Sequence, residues 1–337
     1  MITIKDIAAK SGVSVTTVSR VINNHPYVKD EVREKVLKVI EEEHFVPHEG
    51  AVSLAKTPEN SIGIIVRGMG NIFFSEMFPY LERRIQELGY TPVMHQIGAR
   101  DDEIVAAATL VKSRRVQGII FLGGRFNYDE NSFDSINVPS ICCTYTNRFG
   151  SLSSKSLSSI CIDDKAQAKK AVKILMGKGH KRIAIALPSI GDQSIAELRF
   201  QGYVEAFRDC NMKMDPELVA ETGSYSMEDA YRGVKRWVQD APDFTAIFAI
   251  SDTLALAVIK ALSESGKRVP EDVSVIAIDG IELTEYTMPT LTTLVQPKEV
   301  MAIRTVDILH KMIEEKTGNF HEFVDTTLRK GESVISI

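Results

Sequence analysis

The chain has 337 residues, of which 44% are hydrophobic and 25% are charged, and its formal net charge is −5. These values are typical of a globular protein and exclude a disordered chain, and the length allows a small domain beside a larger body. No apolar run is long enough to span a bilayer, and the chain does not open on a basic region followed by an apolar run. We therefore expect a cytoplasmic protein.

The cysteines give no sign of a metal site. Cys142, Cys143, Cys161 and Cys210 show no C-x-x-C spacing, and no paired histidines accompany them. This pattern predicts neither a zinc site nor a disulfide framework. We expect reduced cysteines in the core, and no metal or cofactor.

The segment from residue 4 to 24, IKDIAAKSGVSVTTVSRVINN, has the pattern of two short helices joined by a turn. Thr3 and Asp6 can form a capping box at the start of the first helix. Gly12 supplies the conformational freedom for a sharp turn, and Ser14 is a strong N-cap for the second helix. The segment therefore predicts a helix-turn-helix.

The outward face of the second helix suits DNA. It offers one guanidinium, several hydroxyls, an amide and no acid, from Val15, Thr16, Thr17, Ser19, Arg20 and Asn23. In the major groove an arginine can bind guanine, and a Thr or Val methyl can contact the thymine methyl, whereas hydroxyls and amides suit phosphate oxygens. Short helices with a glycine turn also occur in many helical bundles, so the pattern alone leaves a purely structural role open.

The charge of the first fifty residues is unevenly distributed. Residues 1–29 contain four cations and one acid, whereas residues 30–49 contain three cations and seven acids. Phosphate contacts dominate non-specific binding to DNA. We therefore expect the positive part of this region to face DNA and the acidic third helix to face away from it.

The amino-acid identities in this first segment identify a family more specifically than the helix-turn-helix pattern does. TIKDIAAKSGVSVTTVSRVINN resembles the opening of the lactose- and galactose-repressor family of bacterial transcription regulators, in which TVSRV lies on the recognition helix. Residues 1–46 form the predicted DNA-binding head. Together with the outward face of the second helix, the resemblance predicts that the head contacts DNA through Thr3, Ser14, Val15, Thr16, Thr17, Ser19, Arg20, Asn23, Tyr27 and Lys29.

A third helix is predicted over residues 30–43 and ends before Pro47. In the family a hinge follows, which folds in the DNA-bound dimer and inserts a leucine into the minor groove; Ala51 and Leu54 match its alanine and its leucine. This chain departs from the family's P-N-x-x-A-R-S-L pattern at Glu49, Gly50 and Val52. An acid is repelled by phosphate and a glycine weakens a helix, so we expect a weaker hinge contact.

From Ser61 onward, apolar runs of strand length alternate with amphipathic helices. This alternation predicts parallel sheets with helices on both faces. The polar stretch SLSSKSLSS, residues 151–159, is predicted to be a solvated loop, and a second α/β series follows it. The predicted fold is an all-α helix-turn-helix head followed by an α/β body of two doubly wound lobes.

The resemblance extends across the body, where GKGHKRIAIALP, RFQGYVEAF, RVPEDVSVIAIDG and PTLTTLVQP match recurring words of the family. Such bodies look like periplasmic sugar-binding proteins, in which three crossing strands join two lobes around a small ligand. The resemblance implies crossings near residues 159, 290 and 322. The domains are then expected at 1–46 (head), 47–60 (hinge), 61–158 with 291–321 (N-terminal lobe) and 159–290 with 322–337 (C-terminal lobe).

Ligands of open α/β sheets bind outside the carboxyl ends of the strands. Candidate effector-binding side chains near those ends, or at positions that the family uses, are Phe73, Asp163, Arg199, Tyr225, Ser251, Asp279 and Gln296. Arg199 matches the family's effector-binding arginine, whose donors could hold sugar hydroxyls or a phosphate. A salt bridge within the lobe is the structural alternative for Arg199. Helix capping is the alternative for Asp163 and Asp279, and core packing for Phe73.

Two enzyme hypotheses have little support. Gly68 and Gly70 resemble the start of a dinucleotide-binding fingerprint, but Phe73 stands where the motif needs a third glycine. The pairs at 163–164 and 251–252 have no His or Lys partner in a recognisable motif. The sequence therefore predicts that the protein is not an enzyme.

The function that we predict is a homodimeric transcription regulator, most simply a repressor of a carbohydrate-utilisation operon. Two heads would bind a roughly palindromic operator in double-stranded DNA, and a sugar or sugar phosphate in the cleft would control them. Three alternatives stay open: activation in place of repression, a nucleobase or protein corepressor as the effector, and a sugar-binding module with little DNA function. No membrane partner is expected.

Overall fold

The structure is a computed structural model of the chain. It describes residues 3–22, 28–43, 60–68, 71–98, 101–125, 127–153, 156–191 and 193–337. Some predicted DNA contacts lie outside these ranges, namely Asn23, Tyr27, Ala51 and Leu54, as does the predicted hinge up to residue 59. The chain divides into two compact units, residues 1–59 and residues 60–337.

The described part of the first unit contains the helices α1 (Ile4–Ser11), α2 (Val15–Ile22) and α3 (Asp30–Glu42). Their apolar faces meet in a small core made by Ile7, Ala8, Val18, Val21 and Val36. Gly12 has a φ of 65°, a left-handed conformation that glycine adopts at little cost, and it reverses the chain between α1 and α2. The predicted helix-turn-helix is confirmed.

The body contains two six-stranded sheets and seven further α-helices within the described residues. The strands are β1 (Ser61–Arg67), β2 (Thr91–Ile97), β3 (Gly118–Leu122), β4 (Ser140–Cys143), β5 (Ser158–Cys161), β6 (Ile183–Leu187), β7 (Val219–Glu221), β8 (Ala246–Ala249), β9 (Ser274–Asp279), β10 (Thr292–Val295), β11 (His321–Phe323) and β12 (Thr327–Arg329). The helices are α4 (Ile72–Glu87), α5 (Glu103–Arg114), α6 (Asp164–Gly177), α7 (Ile195–Asp209), α8 (Met227–Asp240), α9 (Asp252–Glu264) and α10 (Lys298–Glu314). Short 3-10 turns occur at Pro216–Leu218 and Glu282–Glu285.

Both sheets have the same strand order. The first is β11-β5-β4-β3-β1-β2 and the second is β12-β10-β9-β8-β6-β7. The neighbouring strands are parallel, except that β12 is antiparallel to β10. The prediction of two doubly wound lobes is confirmed, and the carboxyl ends of the strands mark where a ligand would bind.

The chain passes between the lobes slightly later than the family resemblance implies. β5 pairs with β4 in the first sheet, and β10 pairs with β9 in the second, while α10 packs on the first sheet. The crossings therefore follow Cys161, Val295 and Phe323, whereas we expected them near 159, 290 and 322. Strand and helix alternation locates strands, but it does not show with which sheet a strand at a crossing pairs.

Apolar side chains cover both faces of the first sheet and surround the second. Helices α4 and α10 contribute to the cluster on one face of the first sheet, and α5 contributes to the cluster on the other. The expectation that every cysteine is a core residue is wrong for Cys210, which is exposed because it directly follows α7 at the surface. Within the described ranges, no helix combines the length and the apolar character that a membrane crossing requires.

Candidate functional site

The outward face of α2 is held in place from its first residue. Ser14 precedes the helix, and its Oγ accepts a hydrogen bond from the backbone N–H of Thr17 at 3.1 Å. Val15 is 41% exposed, and Thr16 and Arg20 are exposed as well. Because Val18 and Val21 are buried on the opposite side, this face cannot rotate inward without opening the core of the head.

The start of α1 is closed by a reciprocal contact. The Asp6 carboxylate accepts from the backbone N–H of Thr3 at 2.8 Å and from the Thr3 hydroxyl at 2.7 Å. These hydrogen bonds lower the pKa of Asp6, so the carboxylate stays ionised near the positive end of the helix dipole. The Lys10 ammonium bonds Glu43, beyond the end of α3, at 2.5 Å. Thr3 and Lys29 are both exposed.

Four polar side chains from separate parts of the sequence meet in the second lobe. The Arg199 guanidinium reaches Asp164 Oδ1 with Nε and with Nη2, both at 2.8 Å, and Asp279 Oδ1 with Nη1 at 3.5 Å. Nη1 also bonds the carbonyl oxygen of Ile250. Gln296 donates to Asp279 Oδ1 at 2.8 Å. We call Asp164, Arg199, Asp279 and Gln296 the cleft cluster.

The cleft cluster is buried, and its electrostatics follow from that burial. Arg199 is 3% exposed, so its charge is balanced by carboxylates and not by water. The pKa of Asp279 is raised to about 7, chiefly by burial; the charge of Arg199 opposes this rise and the charge of Asp252 adds to it. Gln296 Oε1 is buried and receives no hydrogen bond from the described residues. An unpaired buried acceptor of this kind is unusual in a folded protein.

The structure places the other predicted effector residues differently. Asp163 is half-buried and caps α6, accepting from the Ala166 N–H at 3.1 Å, and its neighbour Asp164 is the residue that faces Arg199. Ser251 caps α9 through the Leu254 N–H at 3.3 Å.

The two aromatic candidates have different surroundings, and of the two Tyr225 interacts electrostatically with Arg199. The Phe73 ring is buried in the apolar cluster of the first sheet, because its position in the first turn of α4 points it toward the core. Tyr225 is exposed, and its hydroxyl lies 3.0 Å from Ser194 Oγ, at the start of α7. The structure therefore brings together Arg199, Asp279 and Gln296 from the predicted set.

Sequence reasoning missed two carboxylates of the second lobe. Asp164 has the pairing with Arg199 that we considered only as a general alternative. Asp252 is fully buried, and its carboxylate accepts from the backbone N–H groups of Gly280 and Ile281 at 2.8 and 2.9 Å and from the Thr293 hydroxyl at 2.5 Å. The adjacent polar pairs at 163–164 and 251–252 were the sequence feature that indicated these carboxylates. A sequence does not show, however, which member of such a pair turns inward.

The first lobe has a polar network of its own at its strand ends. The Glu103 carboxylate is almost fully buried and bonds the Arg67 guanidinium and the Tyr128 hydroxyl. It also accepts from the Arg125 N–H at 2.7 Å. The Tyr145 hydroxyl lies 3.2 Å from that of Tyr128. This network joins the ends of β1, β3 and β4, and nothing in the sequence pattern had singled out Glu103.

A cavity of about 280 Å³ lies at the end of β5, where the chain first crosses from the first lobe to the second. Arg148, Asp163, Asp164 and Gln201 line it together with Phe323, over whose ring the Arg148 guanidinium sits at 5.2 Å. In the described part of the chain, no three His, Cys, Asp or Glu side chains lie close enough together to hold a metal ion.

Comparisons with known proteins agree with this architecture. A family model described as bacterial regulatory proteins, lacI family, matches residues 3–48, and a periplasmic binding protein-like domain matches residues 172–334. The chain is 38% identical over 336 residues to the HTH-type transcriptional regulator MalR of Clostridium butyricum, with 99% of each chain covered. It is 32% identical to the HTH-type transcriptional repressor PurR of Vibrio vulnificus, with 94% of this chain and 93% of that protein covered.

Among solved structures, the chain is similar to a complex of the transcriptional regulator CelR with cellobiose. The TM-score is 0.72 and the identity is 26%, with 99% of this chain and 100% of that chain covered. The similarity spans both the head and the body, so it is not confined to one widespread domain. The chain belongs to the lacI family of bacterial regulatory proteins, and it is a DNA-binding transcription regulator.

Proposed function

We propose that this protein represses a carbohydrate-utilisation operon in the cytoplasm, as a homodimer that binds operator DNA through α2 and a saccharide through the cleft cluster. The observation that supports DNA reading is the exposed, acid-free face of α2. A helix of this kind fits the major groove, and two heads related by two-fold symmetry match a palindromic site. We propose no catalytic role.

Residues on α2 divide into two proposed roles. Arg20 can contact a guanine edge, and the methyl groups of Val15 and Thr16 can contact thymine. The proposed contacts with the phosphate backbone of DNA, which set the register of the protein on the duplex, come from Thr3, Ser14, Thr17, Ser19 and Lys29. Asn23, Tyr27, Ala51 and Leu54 complete the proposed set.

Arg20→Ala tests the base-reading role. We expect operator affinity to fall by about 1 to 3 kcal/mol and the preference at one base pair to relax, because a guanine contact is lost. The measurement is a binding titration with DNA from upstream of the regulated genes and with single-base variants of that site. Lys38→Ala on the exposed face of α3 is the control and should leave the base preference unchanged. A uniform loss on every sequence would instead make Arg20 a phosphate contact.

The charges of the cleft cluster favour an uncharged saccharide over a sugar phosphate. Its one cation, Arg199, is already paired with Asp164 and Asp279, and the carboxylate of Asp252 lies nearby. Buried carboxylates would therefore repel a phosphate dianion, and the guanidinium of Arg199, whose donors already bond these carboxylates, would not offset the repulsion. Sugar hydroxyls, by contrast, can donate to Gln296 Oε1 and to the Asp279 carboxylate, both of which lie at strand ends.

A thermal-shift screen tests the effector proposal. A ligand that binds the native state raises the melting temperature, so mono- and disaccharides, cellobiose among them, are compared with their phosphorylated forms. We expect an uncharged saccharide to stabilise the wild type and to stabilise Asp279→Asn less. Ser265→Ala, at the end of α9, is the matched control and should respond as the wild type does. Stabilisation by a phosphorylated sugar alone would contradict the proposed ligand class.

The surface around residues 283–288 supports a homodimer. Leu283, Tyr286 and Met288 are exposed apolar residues close together in the chain, and Met288 is 95% exposed. A cluster of this kind fits burial against a second copy. Sedimentation of Tyr286→Asp beside the wild type tests this: we expect the variant to shift toward monomer, and a wild type that is monomeric at micromolar concentration would contradict the proposal.

A further inference from the structure

The segment of residues 280–282, which we call the bridging loop, begins directly after Asp279 and is held by the second lobe. The Asp252 carboxylate accepts hydrogen bonds from the N–H groups of Gly280 and Ile281 at 2.8 and 2.9 Å. Asp252 is itself fully buried. Buried, charge-assisted hydrogen bonds of this type fix the backbone of the loop relative to α9.

The same loop is also held by the first lobe. The Ile281 side chain is fully buried in the apolar cluster of the first sheet, although its backbone belongs to the second lobe. Glu76 on α4 accepts from the Glu282 N–H at 2.8 Å. Lys298, the first residue of α10, contacts the Glu76 carboxylate and donates to the Gly280 carbonyl oxygen at 2.8 Å. One ion pair of the first lobe therefore holds two backbone groups of the second.

The path of the loop allows little adjustment. Gly280 has a φ of 75°, and a Cβ placed on it would lie 2.8 Å from the Val295 Cα. The preceding residue, Asp279, has a φ of 141°, which is rare for a residue other than glycine. Asp279 is joined directly to Gly280, whose N–H is held by Asp252, so a movement of the Asp279 backbone would be passed to the loop.

We propose that the Glu76–Lys298 pair is a lock between the lobes, and that the bridging loop transmits the state of the cleft cluster to the first lobe through it. The assignment of the cleft to the effector rests on the proposed function. The side chains of Lys298 and Glu76 are only 16% and 20% exposed, so solvent screens their contact weakly. The lobes separate when the hydrogen bonds of the loop to Glu76 and Lys298 break and the Ile281 side chain moves out of the apolar cluster of the first sheet.

The lock is tested by hydrogen exchange on the full-length protein. Lys298→Met removes the donor to Gly280 and leaves Glu76 without its cation, so the fragment that contains residues 280–282 should exchange faster, by at least roughly 5-fold, the lower end of a typical coupling between sites. Lys298→Arg should restore most of the protection. The double variant Glu76→Gln with Lys298→Met leaves no unpaired charge, and it should still exchange faster if the pair acts as a lock.

A neighbouring ion pair provides the matched control. Arg83 and Glu299 join the same two helices at 3.0 Å, one residue further along α10, but both side chains are more than half exposed, at 56% and 55%. We expect Glu299→Gln to leave the exchange of the bridging loop unchanged. Small-angle scattering gives a second readout, in which Lys298→Met should have the larger radius of gyration and Glu299→Gln should match the wild type.

The outcomes separate the lock from the effector proposal. Equal protection of residues 280–282 in the wild type and in Lys298→Met would overturn the lock, whatever ligand the cleft binds. Failure of every saccharide in the thermal-shift screen would remove the proposed effector while leaving the exchange result standing. If both proposals hold, the stabilising saccharide should change the protection of the loop in the wild type, and in Lys298→Met by less.

Discussion

In each sheet a residue other than glycine has a positive φ at the carboxyl end of the fourth strand along the chain. Thr144, directly after β4, has a φ of 83°, and Asp279, at the end of β9, has a φ of 141°. The equal strand orders place both residues at the same point of their sheets. At this one pair of equivalent strands the two lobes share a positive φ, although the side chains differ.

The buried charges at the strand ends are reversed between the lobes. In the first lobe one carboxylate, Glu103, is surrounded by donors from Arg67, Arg125 and Tyr128. In the second lobe one guanidinium, Arg199, is surrounded by acceptors. Both arrangements satisfy the central group. Removal of Arg199 leaves two buried carboxylates behind, whereas removal of Glu103 leaves one guanidinium that is 12% exposed. The predictions below test this asymmetry.

The largest effect is expected for Arg199→Ala. It strands the buried carboxylates of Asp164 and Asp279, so the free energy of unfolding should fall by about 3 to 5 kcal/mol. Denaturant titration measures the loss. Arg268→Ala is the control, because its pairing with Asp272 lies at the surface, where an ion pair contributes little to stability. Similar losses in the two variants would show that Arg199 is not central to the second lobe.

A smaller loss is expected for Glu103→Gln. Glutamine keeps the shape and one acceptor, so the cost comes from weaker bonds to Arg67 and Tyr128, about 1 to 3 kcal/mol of unfolding free energy. Glu87→Gln, in an exposed contact with Arg84, provides the baseline in the same titration. A loss as large as that of Arg199→Ala would remove the asymmetry between the lobes.

Asp279→Asn should change the dependence of stability on pH. Burial raises the pKa of Asp279 from 3.8 to about 7, so the folded protein keeps a proton that the unfolded chain releases. That contribution to stability is full below about pH 4 and is lost as the pH rises toward about 7. The melting temperature of the variant should therefore decline less over this range than that of the wild type. Parallel profiles would show that Asp279 does not bind this proton.

The smallest effect is expected for Thr144→Gly. Relief of the positive φ is worth about 1 to 3 kcal/mol, and the entropy of glycine in the unfolded chain offsets about 0.5 to 1 kcal/mol of it. We therefore expect a gain of about 1 kcal/mol in unfolding free energy. Thr146→Gly, two residues further on and without a positive φ, should be neutral or destabilising. A loss at Thr144 would mean that its side chain contributes more than its backbone costs.

The sequence predicts the local features of this protein well. Helix periodicity, Gly12 and Ser14 are enough to predict the helix-turn-helix, because capping and turn formation act within a few residues. The alternation of strands and helices likewise predicts two α/β lobes.

Features that depend on long-range pairing could not be predicted. Whether Asp163 or Asp164 meets Arg199 depends on the twist of the chain as it leaves β5. The membership of β5 and β10 in their sheets depends on hydrogen bonds to strands elsewhere in the chain. The contact of Glu76 with Lys298 joins residues from opposite ends of the body, and no spacing rule links them.

The cysteines described above provide an internal probe of the first lobe. Cys142, Cys143 and Cys161 all lie in β4 and β5, and burial raises the pKa of each thiol, that of Cys143 to about 12. A protonated, inaccessible thiol does not react with alkylating reagents. Brief alkylation of the native protein should therefore modify Cys210 alone. Each further modified thiol then counts molecules in which the first sheet has opened, so mass spectrometry can follow the opening of the first lobe without any engineered label.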